Sequence, residues 1–232
     1  MRTPRTTAGP LALLVVLGLA LGGCGGGAEQ QAPDPATVLA AAKRNLDATS
    51  GVRIGLSTAQ LPPGVSGLLA ADGVGTHAPA FSGDIKVSAG GVTADAAVVA
   101  VDDKVFAKLP FTTRFAPIDP ADYSAPDPAA LLEPEGGLSS LLTSAREVQR
   151  GEQVRDGKVV VTSYRADVPG KAVASVIPSA DAKATFSGVF TVTDDDRLTK
   201  AVLSGPFYPK ADSVTYTITF ADYGTTKNIK AP

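Results

Sequence analysis

Two periods of hydrophobicity alternate along this chain. Leu11 to Leu21 is an uninterrupted apolar run preceded by Arg2 and Arg5. A residue pattern of three to four follows between Ala36 and Thr49, where Val38, Leu39, Ala42 and Leu46 fall on one face and Lys43, Arg44 and Asp47 on others. That spacing predicts an amphipathic helix, opened by Asp34 or Pro35 and closed at Ser50-Gly51. From Val52 the period becomes two. Val52, Ile54 and Leu56 alternate with Arg53, Gly55 and Ser57, as they do in a half-buried strand. Phe81, Gly83, Ile85 and Val87 alternate with polar positions, Gly90-Gly91 supplies a turn, and Val92 to Val101 returns. Asp102-Asp103 turns again into Val105, Ala107 and Leu109. These are signals of an antiparallel meander. Gln60 to Ala71 lies between the first two runs and reads as an apolar loop over an opening or an edge.

The pattern breaks between Ile118 and Ser144, where Pro120, Pro126, Pro128 and Pro134 recur. Two short helices are predicted there, one over Pro128 to Leu132 and one over Gly137 to Ser144. In the second, Leu138, Leu141 and Leu142 share a face. Strands resume at Ala145, pass through an Asp156-Gly157 turn, and are interrupted by a helix over Pro169 to Ile177. The last strands are Ala184 to Thr193, Leu198 to Ser204 and Ser213 to Asp222. The total is eight to ten antiparallel strands and three or four helices inserted between runs of strands, which argues an α+β fold.

The N-terminus sets the expected compartment. An apolar run of eleven residues is too short for the roughly 20 that span a bilayer. Charged n-region, apolar h-region and small residues stand in the order of a secretory signal. It ends in Leu21-Gly22-Gly23-Cys24, and Cys24 is the only cysteine. These four residues resemble the lipobox of bacterial lipoproteins, in which the thiol accepts a diacylglyceryl group and becomes the new N-terminus. Acylation removes an exposed thiol from an oxidising compartment, and two chains hold a membrane where one does not. The expected organisation is a signal peptide over 1–23, a lipidated flexible tether over 24–35, and a single domain over 36–232.

Without residues 1–23 the chain carries 19 basic and 23 acidic residues, a net charge of −4. No basic excess is left for nucleic acid. Candidate chemistry is sparse. His77, the only histidine, lies in a turn-like stretch, and no Gly-x-Ser-x-Gly elbow is present. Asp194, Asp195 and Asp196 lack the spacing of a calcium loop, and Glu133 and Glu135 read as capping or solvating residues. No metal, cofactor or catalytic residue is expected. What stands out is a set of small apolar residues on predicted strands, among them Ala94, Ala96, Val98, Ala100 and Ala107. Small side chains leave volume unfilled. Two readings stay open, a cavity between sheet and helices or a core that the helices fill.

Tyr123, the run Asp127 to Leu132, Pro134, Gly137-Leu138 and Leu141-Leu142 resemble the central segment of the mycobacterial LppX/LprA/LprF/LprG lipoproteins. Gly83-Asp84-Ile85-Lys86-Val87 is similar to a strand of that family, as are Ile218 to Gly224 near the end and Met1 to Arg5 at the start. The resemblance covers nearly the whole chain and runs closest to LprG. It implies a curved antiparallel half-barrel with helices packed on its concave face around an apolar cavity. It implies binding of multi-acylated, for instance triacylated, lipids or glycolipids and their movement across the cell envelope, with a major facilitator transporter as partner. It places Ile85 in the cavity wall. Val87, Ala94, Ala96, Val98, Val105 and Ala107 are expected beside it, and Leu138, Leu141 and Leu142 in a helical lid. The expected protein is a monomer, lipid-anchored on the extracytoplasmic face of the cell membrane. The alternative is an envelope interaction lipoprotein with a filled core and no lipid. Two departures from the family pattern are the length of the 60–71 loop and Phe115 where a Trp is expected.

Overall fold

A computed structural model describes residues 32–232 except Ser124, Lys210 and Asp212. The signal peptide, Cys24 and most of the tether therefore lie outside the described residues. The first helix, α1 (Pro35–Ala48), starts where the sequence predicts it, because Asp34 accepts from the Thr37 amide and Pro35 needs no donor. Val38, Leu39, Ala42 and Leu46 are its buried stripe.

Eleven strands follow, all in one antiparallel sheet that is open and curved. They are β1 (Gly51–Ser57), β2 (Gly67–Thr76), β3 (Ala80–Ala89), β4 (Val92–Val101), β5 (Lys104–Lys108), β6 (Ala116–Ile118), β7 (Arg146–Asp156), β8 (Val159–Pro169), β9 (Thr185–Thr193), β10 (Leu198–Gly205) and β11 (Val214–Ala221). One strand exceeds the expected number, and another is longer than expected. Gly67 to Ala71, read as loop, pairs with β3 through a register shift between Leu68 and Ala70. The shift breaks strict alternation, which hid the strand. The three residues of β6 include Pro117 and sit at the sheet edge, where a missing donor is tolerated.

The spatial order is β6-β5-β4-β3-β2-β1-β11-β10-β9-β8-β7. Two meanders, β1–β6 and β7–β11, are thus joined side by side through the pair β1–β11. Register carries one row of side chains across eight strands: Tyr164, Phe190, Ala201, Ile218, Leu56, Ala71, Ile85 and Ala96 are successive cross-strand partners. They share the inner face of the sheet. Because β6 and β7 form opposite edges, the chain between them must travel the width of the sheet. This strap holds 3-10 turns at Pro120–Tyr123 and Pro128–Leu132 and the helix α2 (Ser140–Ser144). The predicted helix over 137–144 is shorter than expected, since only its last five residues close α-helical bonds. The helix α3 (Gly170–Val176) links β8 to β9.

The inner face differs between the two meanders. Over β8–β11 it presents Tyr164, Val168, Phe186, Phe190, Leu203, Tyr216, Ile218 and Phe220, all buried. These pack with α1, α2 and α3 into one cluster. Phe186, Phe207 and Tyr216 stack edge to face within it, with ring centroids 4.9 and 5.0 Å apart. Over β2–β5 the face is built from Gly73, Gly75, Gly83, Ala94, Ala96, Ala100 and Ala107, with Phe81, Ile85, Val87, Val98 and Val105 between them. A second, smaller cluster of Phe81, Val98, Ala100, Val105, Ala107 and Ala129 forms there.

Candidate functional site

The small-residue half of the inner face is a trough. Register puts Ile85 opposite Ala96, Val87 opposite Ala94, Val98 opposite Ala107 and Ala100 opposite Val105, so all seven expected wall residues share one face. The floor is flat because its glycines have no Cβ. Gly73 and Gly83 face each other across β2 and β3, and the Phe81 ring lies over both: a Cβ on either glycine would clash with Phe81 Cζ.

Cover is uneven along the trough. Ala129 packs on the floor from the strap's Pro128–Leu132 turn, and Leu132 lies 3.0 Å from where a Gly75 Cβ would be. Asp127 caps that turn by accepting from the Ala129 amide at 2.9 Å. Phe81, Val98, Ala100, Val105 and Ala107 are buried beneath this cover, and Ala96 is buried too. Further toward the Gly67 end of β2 the cover is thinner among the described residues. Leu68, Ala71, Ile85, Val87 and Ala94 are only half-buried. An apolar strip held partly exposed on one side of a sheet is a surface suited to an apolar ligand.

Leu138, Leu141 and Leu142 are not brought to this trough. They are buried in the larger cluster, with α1 and the β7–β11 meander. The segment over the expected wall is Pro128–Leu132 instead. Its periodicity is too short to show which half of the sheet it covers, and the sequence reading assigned the cover to the stronger leucine pattern.

His77 and the Asp194 to Asp196 turn are committed to structure. His77 Nε2 donates to Leu46 O at 2.9 Å and ties the β2–β3 turn to the end of α1. In the Asp194 to Asp196 turn, Thr193 Oγ1 donates to Asp195 Oδ1 at 2.5 Å, Arg197 pairs with Asp195 at 3.1 Å, and Asn45 donates to the carbonyls of Asp195 and Asp196. Among the described residues no group of three or more His, Cys, Asp or Glu is poised to hold a metal. Ser139, Lys43 and Asp47 do come together, as the parts of a nucleophile and base would. However, Ser139 is almost fully buried, its hydroxyl donates to Asp47, and Lys43 donates to Asp47 and to the Pro134 carbonyl. A hydroxyl aimed at a carboxylate and shut off from solvent meets no substrate. One shallow depression of about 170 Å³ lies among Glu147, Gln149, Arg165, Asp167 and Ser187, and is too polar and small for an acyl chain.

Tyr216 closes the boundary between the two halves. Its hydroxyl donates to Leu68 O at 2.8 Å and lies 2.7 Å from the Tyr208 hydroxyl. Burial, then the bond to Tyr208, pushes its pKa well above the usual phenol value. The Tyr208 ring covers Gly67, where a Cβ would clash with it.

Residues 34–229 match the family described as LppX_LprAFG lipoprotein. Among solved structures the fold is similar to LprF from Mycobacterium bovis, with a TM-score of 0.71 and 13% identity over 86% of this chain and 98% of that one. It is similar also to the Mycobacterium tuberculosis lipoprotein LppX, with a TM-score of 0.62 and 13% identity over 86% of this chain and all of that one. No curated protein sequence matches the chain.

Proposed function

The chain belongs to the LppX_LprAFG lipoprotein family, and from that premise we propose that it is a membrane-anchored carrier that binds multi-acylated lipids or glycolipids in the trough and transfers them across the cell envelope. The observation that carries this reading is the strip of Leu68, Ala71, Ile85, Val87 and Ala94, apolar and left half-buried beside a face that is largely buried over β8–β11. Burial of one methylene is worth about 0.8 kcal/mol. A long acyl chain therefore resists entry into water by on the order of 12 kcal/mol, and a lipid with several chains needs a carrier to cross an aqueous layer. Such a carrier needs a dry apolar surface and no reacting group.

In this reading residues 1–23 are removed, Cys24 is acylated and holds the protein to the extracytoplasmic face of the cell membrane, 24–35 are the tether, and 36–232 are the lipid-binding domain. No helix among the described residues is long and apolar enough to cross a membrane, so the acyl anchor is the proposed attachment. Ile85, Val87, Ala94, Ala96, Val98, Val105 and Ala107 contact the lipid, and a transporter of the major facilitator class moves it across the membrane. The carrier works as a monomer and performs no catalysis.

A second reading has its own support. The inner face over β8–β11 is packed with buried side chains, as the whole face of an interaction lipoprotein with no lipid ligand would be. Organic extraction and mass spectrometry of the protein purified from an actinobacterial host separates the two. Multi-acyl lipid at near one per chain supports the carrier. A lipid-free extract from folded protein favours the interaction module.

A further inference from the structure

The antiparallel meander sends alternate loops to opposite ends of the sheet, and in the β1–β6 half the two ends differ in charge. At one end lie the β2–β3 and β4–β5 turns, with Asp102 and Asp103, together with the Asp194–Asp196 turn and Asp222. At the other lie loops 58–66, 90–91 and 109–115 of the β1–β6 half and, in the other half, the β8–β9 connection with Asp181. The three loops of the β1–β6 half contain no carboxylate, in a chain with 23 acidic residues, and Arg114 is their only charge. They contain Leu61, Pro62, Pro63, Val65, Leu109, Pro110, Phe111 and Phe115.

The aromatic at the tip is held outward. Phe111 is fully exposed, and its backbone has φ +69, a region that residues other than Gly, Asn and Asp seldom adopt. Leu109 is 54% exposed, and Val92, next to the 90–91 turn, is 69% exposed. Lys108 stands beside them with its ammonium 5.4 Å from the Phe115 ring. Exposed Val92, Leu109 and Phe111, with Lys108 and Arg114 beside them and no anion in these loops, match the interface of an anionic bilayer, where aromatic and aliphatic groups enter the headgroup layer and Lys or Arg pairs with phosphate. An acidic soluble partner would match the cations but not the exposed apolar Val92, Leu109 and Phe111 around them.

We propose that loops 58–66, 90–91 and 109–115 form a docking face that rests on a bilayer containing anionic phospholipid, with Phe111 inserted. The half-buried end of the trough, Leu68, Val87 and Ala94, opens toward this same end of β2–β4. Docking would let a lipid move between bilayer and trough without crossing water. That use rests on the carrier reading, whereas the docking face rests on the loops themselves.

The chain has no tryptophan, so Phe111→Trp and Leu109→Trp are single reporters at sites whose exposure tolerates the ring. Val154→Trp, on the outer edge strand, is the control. Each variant is extracted from host membranes and reconstituted in vesicles of phosphatidylcholine with phosphatidylglycerol. The expected result is acrylamide quenching severalfold weaker at positions 111 and 109 than at 154, with quenching by brominated acyl chains at 111 and 109 only. Equal acrylamide access at 111 and 154 overturns the proposal. Protection at 111 without bromolipid quenching also overturns it and marks a protein contact. Lipid co-purifying with the wild type but not with Ile85→Trp, alongside an unprotected position 111, removes the docking face and leaves the carrier reading intact.

Discussion

Ser139 Oγ donates to Asp47 Oδ1 at 2.6 Å, joining α1 to the strap that crosses the sheet, although 92 residues separate them. Lys43 completes the junction by pairing with Asp47 at 2.7 Å and donating to the Pro134 carbonyl at 2.6 Å. With Ser139 1% exposed and Asp47 half-buried, Ser139→Ala removes one partner of the carboxylate and should lower stability by about 1 kcal/mol. Urea unfolding measures it. Lipid content of the folded protein should not change, because the junction lies outside the trough.

Phe81→Ala removes the ring that lies over Gly73 and Gly83. Truncation of a buried Phe costs about 3 kcal/mol or more. The same change deepens the trough floor. The expected outcome is a lower midpoint in thermal unfolding with lipid binding retained, and a shift of the co-purifying lipids toward bulkier ones in mass spectrometry.

Ile85→Trp acts in the opposite direction. It places a larger ring in the half-buried strip beside Ala71 and Ala96, its cross-strand partners. The space is open, so folding should be little affected, while bound lipid falls severalfold in extraction assays. Unchanged lipid content in the folded variant removes Ile85 from the proposed contact set.

Tyr216 and Tyr223 make stability sensitive to alkali. Burial raises both phenols well above their usual value, with the Tyr208 bond adding to the effect at Tyr216. Groups whose folded pKa is raised contribute stability that is complete below the unfolded pKa, about 10 for Tyr, and is lost as pH rises above it. Thermal midpoints should hold to about pH 10 and fall beyond it. Tyr216→Phe should start lower, having lost the bond to Leu68 O, and decline less steeply.

The elements themselves were legible in the residue pattern. The helix Pro35–Ala48, the hairpins at Gly90-Gly91 and Asp156-Gly157, and the run of last strands each follow from local chemistry: a cap, a proline, a turn dipeptide, a strict alternation. Alternation also sorts Ile85, Val87, Ala94, Ala96, Val98, Val105 and Ala107 onto one face, because the side chains of a strand have a period of two. Where local regularity failed, so did the reading. The register shift at Leu68 to Ala70 concealed half of β2, and three residues around Pro117 were too few to show β6.

Tertiary structure decided what covers what. Leu138, Leu141 and Leu142 form a helical face in sequence, yet nothing local states which half of an eleven-stranded sheet that face will meet. The pairing of β1 with β11 puts β6 and β7 at opposite edges, and this obliges the strap to cross the sheet. It lays Ala129 and Leu132 over the glycine-rich half and carries the three leucines on to the aromatic half. Apolar pattern is a property of neighbours in the chain, whereas cover and exposure depend on contacts between segments tens of residues apart.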